Sequence, residues 1–145
     1  MSVVDDAVLA LMQATDVSVH DGLVLTTQTP GAVVVSYTLP DAVYYSSIGD
    51  DDNRRLSGRK TRRSVFFQVT YVGKDRDQVK WAGEQIRAAL QGARPIVAGH
   101  RTGLIDLEAS QRIRRDDDAI RPDGSPLFYG VDEYAVSIFT LNPAA

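Results

Sequence analysis

The stretch Ser64 to Val72, SVFFQVTYV, constrains the fold more than any other part of the chain. Val65, Phe67, Val69 and Tyr71 fall on one side of an extended backbone and Gln68 and Thr70 on the other, the period of two expected of a strand with one buried face. Gly73-Lys74 then turns the chain into Asp75, whose carboxylate suits a helix N-cap with Gln78 three places on. From there Val79, Ala82, Ile86, Ala89 and Leu90 recur at helical spacing up to Gly92. A strand feeding an amphipathic helix through a short turn predicts a sheet with a long helix on one face.

The flanking segments extend this pattern. Ser2 to Ala14 predicts a helix, with Val4, Val8, Leu11 and Met12 on one side and Ser2 and Asp5 as a capping box. Asp21-Gly22 suits the turn of a tight hairpin between two short β-prone runs. Pro30-Gly31 marks another turn, before a buried strand from Ala32 to Leu39 that Pro40 ends, and Val43 to Ser46 reads as an edge strand. Two more strands are expected over Leu104 to Ser110 and Tyr129 to Leu141, while AGHRTG reads as a loop. The 145 residues fit a single domain, 1–145, of α+β class: a mostly antiparallel sheet with an N-terminal helix and a long helix packed on it.

Two charged segments interrupt the apolar pattern. Residues 49–63, GDDDNRRLSGRKTRR, hold six basic and three acidic residues and read as a long charged loop; residues 111–126 read as a second. Ordering a residue costs ~1–2 kcal/mol, so fixing the first segment would cost on the order of 15 kcal/mol. Exposed ion pairs return only ~0.2–1 kcal/mol each. The segment is therefore expected to be mobile in an isolated subunit and to order against a partner, with Arg54, Arg55, Arg59, Lys60, Arg62 and Arg63 as its assembly surface. Asp116, Asp117 and Asp118 offer a complementary acidic surface, although Arg114 and Arg115 stand beside them as internal neutralisers.

The residues point away from catalysis. The chain has no cysteine and two histidines, which excludes disulfides and thiolate metal sites. Phosphate-cradling, nucleophile-elbow and zinc-helix motifs are absent, so no enzyme, metal or cofactor is expected. His20 and Asp21, adjacent in a strand, would point to opposite faces and make a poor base and acid pair, and His100 sits between glycines in a loop. The aspartate triplets 50–52 and 116–118 lack the alternate spacing of a calcium loop. No apolar run is long enough to cross a bilayer, and the first residues are acidic where a signal peptide is basic, which suggests a cytosolic product. A net charge of -3 argues against general nucleic-acid binding. Tyr44, Tyr45, Phe128, Tyr129 and Tyr134 near strand ends suit either an interface or the core, and Trp81 lies beside the apolar stripe of its helix.

The phrases FFQVTYVGKDRDQVKWAGEQIRAAL, RPIVAG, SQRIRRDDD and PLFYGVDEYAVSIF, spread over Phe66 to Phe139, resemble the tail terminator (tail completion) proteins of long-tailed bacteriophages. The resemblance implies a small α/β subunit that assembles with itself as a hexameric ring at the head-proximal end of the tail. There it would stop polymerisation of the tail tube protein and present a surface to the head-tail connector. DNA would pass through the lumen without sequence-specific binding, and the protein would reside in the virion after assembly in the host cytoplasm. Two other functions are consistent with the residues: a nucleic-acid-binding module using the basic 54–63 loop, and a metal-dependent hydrolase using the aspartate triplets.

Overall fold

A computed structural model describes residues 3–22, 26–29, 32–35, 38–54 and 60–140, with side chains at 4–22, 38–46, 64–117 and 119–139. Two short helices and eight strands follow in the order α1 (Val3–Gln13), β1 (Ser18–Asp21), β2 (Thr26–Thr29), β3 (Ala32–Val35), β4 (Asp41–Arg54), β5 (Lys60–Gly73), α2 (Arg76–Leu90), β6 (His100–Thr102), β7 (Asp106–Ile120) and β8 (Pro126–Thr140). The fold is α+β, but the helix expected to be long has 15 residues and the other 11.

All strands join one sheet in the order β1-β4-β5-β8-β7-β3-β2, with β6 beside the end of β8. Most pairings are antiparallel, while β1–β4 and β3–β7 are parallel. Chain length forces this sheet to curl. Six inter-strand steps would put β1 and β2 about 29 Å apart if flat. The link from Asp21 to Thr26 reaches at most about 18 Å.

The alternation of β5 sets the two faces. Val65, Phe67, Val69 and Tyr71 are buried, and register aligns them with Val136, Tyr134, Asp132 and Gly130 of β8. Both helices cover this inner face: Val79, Ala82, Ile86 and Leu90 of α2 and Val4, Val8, Leu9 and Met12 of α1 complete one core cluster. The cap of α2 is as expected, with Asp75 Oδ1 accepting from Gln78 N at 2.8 Å and Gln78 Oε1 accepting from Lys74 N at 2.9 Å. Gly73 permits the abrupt turn, since a Cβ there would lie 2.8 Å from Gln78 Cβ and 3.0 Å from Val79 N.

Gly83 is different. A Cβ at this helix-interior position would meet the Tyr71 ring at 3.5 Å, an ordinary contact. Gly83→Ala is expected to raise stability by about 0.5–1 kcal/mol through the unfolded chain's entropy. Thermal denaturation checks this, and a lower midpoint would show that the Tyr71 ring has no room to give.

Several expectations need correction. The second arm of the expected Asp21-Gly22 hairpin lies outside the described residues, and β1 runs parallel to β4, from Ser18 opposite Asp41 to Asp21 opposite Tyr44. A partner 23 residues away leaves no local trace, whereas the turn signal does. Consequently Val43 and Tyr44 lie inside the sheet, between β1 and β5. The strand expected from Ala32 to Leu39 is described only over Ala32–Val35. AGHRTG contributes the short strand β6.

Neither charged segment is the loop its polarity suggests. Residues 50–54 and 60–65 pair across β4 and β5, and Arg62 and Arg63 also pair with Phe139 and Ile138 of β8. Residues 111–120 belong to β7, and only 121–125 turn. Side-chain ion pairs are only part of what orders such a segment. Ladder hydrogen bonds, at ~0.5–1.5 kcal/mol net each, stabilise a strand whatever its side chains, and β8 supports one side of the hairpin. The hairpin tip, with Arg55 and Arg59, lies outside the described residues.

Candidate functional site

Beneath α2 lies a buried polar network. Alternation in β8 turns Asp132 inward with Gly130 and Tyr134, and it is 1% exposed. An aspartate there requires partners. Arg87 of α2 supplies a two-pronged bond, Nε to Oδ2 and Nη2 to Oδ1, both 2.7 Å. Tyr71 Oη donates to Asp132 Oδ2 at 2.7 Å and lies 3.2 Å from Tyr134 Oη, while Arg87 Nη2 also reaches Ser110 Oγ at 2.7 Å.

Burial pushes the Asp132 carboxyl upward, but hydrogen bonds from Arg87, Ser110 and Tyr71 outweigh it and hold the group below its ordinary value. Bonding to Asp132 raises Arg87, and burial raises both tyrosines. The network thus keeps a carboxylate ionised under a helix, which suits a lock between α2, β5, β7 and β8. An acid at an inward position of an alternating strand was the available sequence signal for it.

A second pair fastens the sheet edge. His20 Nδ1 lies 2.8 Å from both oxygens of fully buried Asp41. His20 therefore pairs with an acid from the neighbouring parallel strand. Burial raises Asp41, with Ser18 and His20 opposing the shift. On the inner face, Tyr44 Oη donates to buried Asp5 of α1. Among the described residues, no three acids or histidines converge as a metal site.

The outer face of the sheet is only partly covered. A small cluster of Ala119 and Leu127, backed by Leu39 and Val72, shields one end. Further along, a groove of about 400 Å³ is lined by Tyr45, Phe66, Gln68, Glu108 and Glu133. Register explains the convergence: Tyr45 stands opposite Gln68, Gln68 opposite Glu133, and Glu133 opposite Ala109, next to the irregularity that holds Glu108. Glu108 and Glu133 are exposed, Tyr45 is 41% exposed, and neither glutamate has an ion-pair partner among the described residues.

The residues singled out from sequence are spread over two places. Arg54, Lys60, Arg62 and Arg63 lie at the far end of the β4–β5 hairpin, with Asp52 opposite Arg63 and Arg54 opposite Lys60. Asp116, Asp117 and Asp118 lie within β7; Asp117 accepts from Arg115 Nε at 2.9 Å, an exposed neighbouring pair that offsets part of the local charge. Of the aromatics, Tyr44 and Tyr134 are fully buried core, Phe128 packs against the core, and Tyr45 keeps an exposed ring. Trp81 is 39% exposed on the flank of α2. The sequence reading missed the groove, because its lining comes from four strands that only the sheet order brings together.

No helix among the described residues is long and apolar enough to cross a membrane. No protein-family model matches the chain, and no curated protein matches it. Among solved structures, a chain of the "Virion of native gene transfer agent (GTA) particle" superposes with a TM-score of 0.61, covering 92% of this chain and 92% of that one at 14% identity. At that identity the likeness shows a shared fold, extending over nearly the whole of both chains.

Proposed function

We propose that the protein is a structural subunit of a virion, and within it a tail terminator: a non-enzymatic subunit that rings the head-proximal end of the tail tube, ends its growth and presents a docking surface for the head-tail connector. The observation that carries this reading is the end-to-end fold match to a chain from a gene transfer agent virion. It joins the resemblance to tail terminators over Phe66 to Phe139. A hexameric ring with DNA passing through its lumen is the form that resemblance implies.

The chemistry of the chain supports an assembly role. Its ionised groups inside the fold lock elements together, and an open sheet face presents exposed Tyr45, Glu108 and Glu133. A head-to-tail ring needs one face of each subunit to complement a different face of the next. The basic end of the β4–β5 hairpin supplies one such face. Asp116 to Asp118 is the complementary surface suggested by sequence, reduced by the pairing of Asp117 with Arg115.

The test is electron microscopy of tail tubes assembled from the same virion's tube protein. With the wild-type chain present, tubes should end in a ring at one end and stop growing. Charge reversal of Arg59, Lys60, Arg62 and Arg63 should leave most tubes uncapped. Tubes that lengthen identically with and without the chain would overturn the proposal.

A further inference from the structure

We infer that the acidic, aromatic groove on the outer sheet face receives the basic β4–β5 hairpin of a second copy of this chain. The inference deepens the ring reading and rests on it for the expectation that copies meet head to tail.

The groove has the chemistry of an arginine or lysine receiver. Glu108 and Glu133 provide carboxylates without ion-pair partners among the described residues, and Tyr45 and Phe66 provide ring surface beside them. Guanidinium and ammonium groups gain from both at once, by charge-assisted hydrogen bonds and by contact with a ring. The same sheet already carries one such contact, with the Arg101 guanidinium 5.0 Å from the Phe139 ring centroid.

Charge distribution points to the occupant. The segment 49–63 holds six of the sixteen basic residues, which leaves ten for the other 130 positions against sixteen acidic ones. The body of the chain is thus strongly acidic and the hairpin end basic, so two copies attract when the hairpin of one meets the body of the other.

The hairpin cannot serve its own groove. Lys60 and Gln68 lie on one strand, eight residues or about 26 Å apart. Pairing to β4 on one side and β8 on the other keeps that strand from folding back. Between the pairs Ser46–Phe67 and Asp50–Val65, three residues of β4 oppose one of β5, an irregularity of the kind that bends and twists a hairpin. Among the described residues the β5–β8 pairing begins at Arg62–Phe139.

A chain without cysteine allows a direct test with introduced thiols. Lys60→Cys is mixed with Glu133→Cys and treated with a short bis-maleimide; Lys60→Cys is mixed separately with Glu84→Cys, exposed on α2, and with Asp117→Cys, exposed on β7. Docking raises the local thiol concentration, so the Lys60–Glu133 dimer is expected to form about tenfold faster than either control. A companion measurement is the sedimentation mass: Glu108→Lys/Glu133→Lys should lose self-association, and mixing it with Arg62→Glu/Arg63→Glu should restore it.

Equal cross-linking rates in all three mixtures, faster reaction with Asp117→Cys, or a wild-type chain that stays monomeric at its highest soluble concentration would each overturn the inference. The virion reading fails separately. A chain that cross-links as expected but never caps tubes defeats that reading and keeps the groove, whereas capping with equal cross-linking rates does the reverse.

Discussion

Asp132→Ala is expected to lower folding stability by about 3 kcal/mol, read as a fall in the urea midpoint at unchanged slope. The substitution strips Arg87 of both its short bonds and leaves Tyr71 only the Tyr134 hydroxyl. Removing one member of a buried pair typically costs ~3–5 kcal/mol, and the lower end applies because Arg87, 43% exposed, can turn towards water. Asp132→Asn should lose nearly as much, since one of its two polar atoms must face an Arg87 donor. In the double variant Arg87→Ala/Asp132→Ala no charge is stranded, so its loss should be less than the sum of the two single losses. Additive losses would show that the network contributes only packing.

The same network predicts the acid limb of the stability profile. Asp132 is depressed in the folded state, so its contribution is complete above the unfolded value near 3.8 and disappears as pH falls through the lower folded value. Asp41 acts in the opposite direction. Its raised value means that it favours the fold at low pH and loses that contribution as pH rises through the folded value. The wild type should therefore weaken steeply only below the ordinary aspartate range, and the Asp132→Asn variant should show a shallower loss there.

What could be read from the sequence divides along the range of the interactions. Helix α2, its Asp75 cap and the inner face of β5 rest on neighbours within a few positions, and each appears where the periodicity places it. The pairing of β1 with β4 depends on Asp41 lying beside Ser18 and His20, and nothing near residue 20 announces it. Polarity misled in a different way. QRIRRDDD has almost nothing to bury, yet it is strand because β8 pairs with Gln111 and with Arg114 to Asp116. For the outer groove, Tyr45, Phe66 and Glu133 are each outward-facing positions that alternation alone identifies; only the order β4-β5-β8-β7 makes them one groove.

The contrast between the two sheet faces gives the second large prediction, Phe67→Ala against Phe66→Ala. Phe67 is 2% exposed at the centre of an aromatic row, its ring stacked 5.3 Å from Tyr134 and tilted 5.4 Å from Tyr44. Truncation removes both ring contacts and leaves a cavity under the helices, for an expected loss of about 3–5 kcal/mol. Phe66, one residue earlier, lines the outer groove and is already partly exposed, so Phe66→Ala should cost the isolated subunit about 1 kcal/mol. Paired with copies that can associate, the order should reverse in one respect: Phe66→Ala weakens self-association at nearly unchanged subunit stability, because its ring is offered to a neighbour's hairpin and not to its own core. Thermal denaturation and sedimentation of the same two variants separate these effects, and an equal loss of subunit stability from both would mean that the outer face is as fully packed as the inner one.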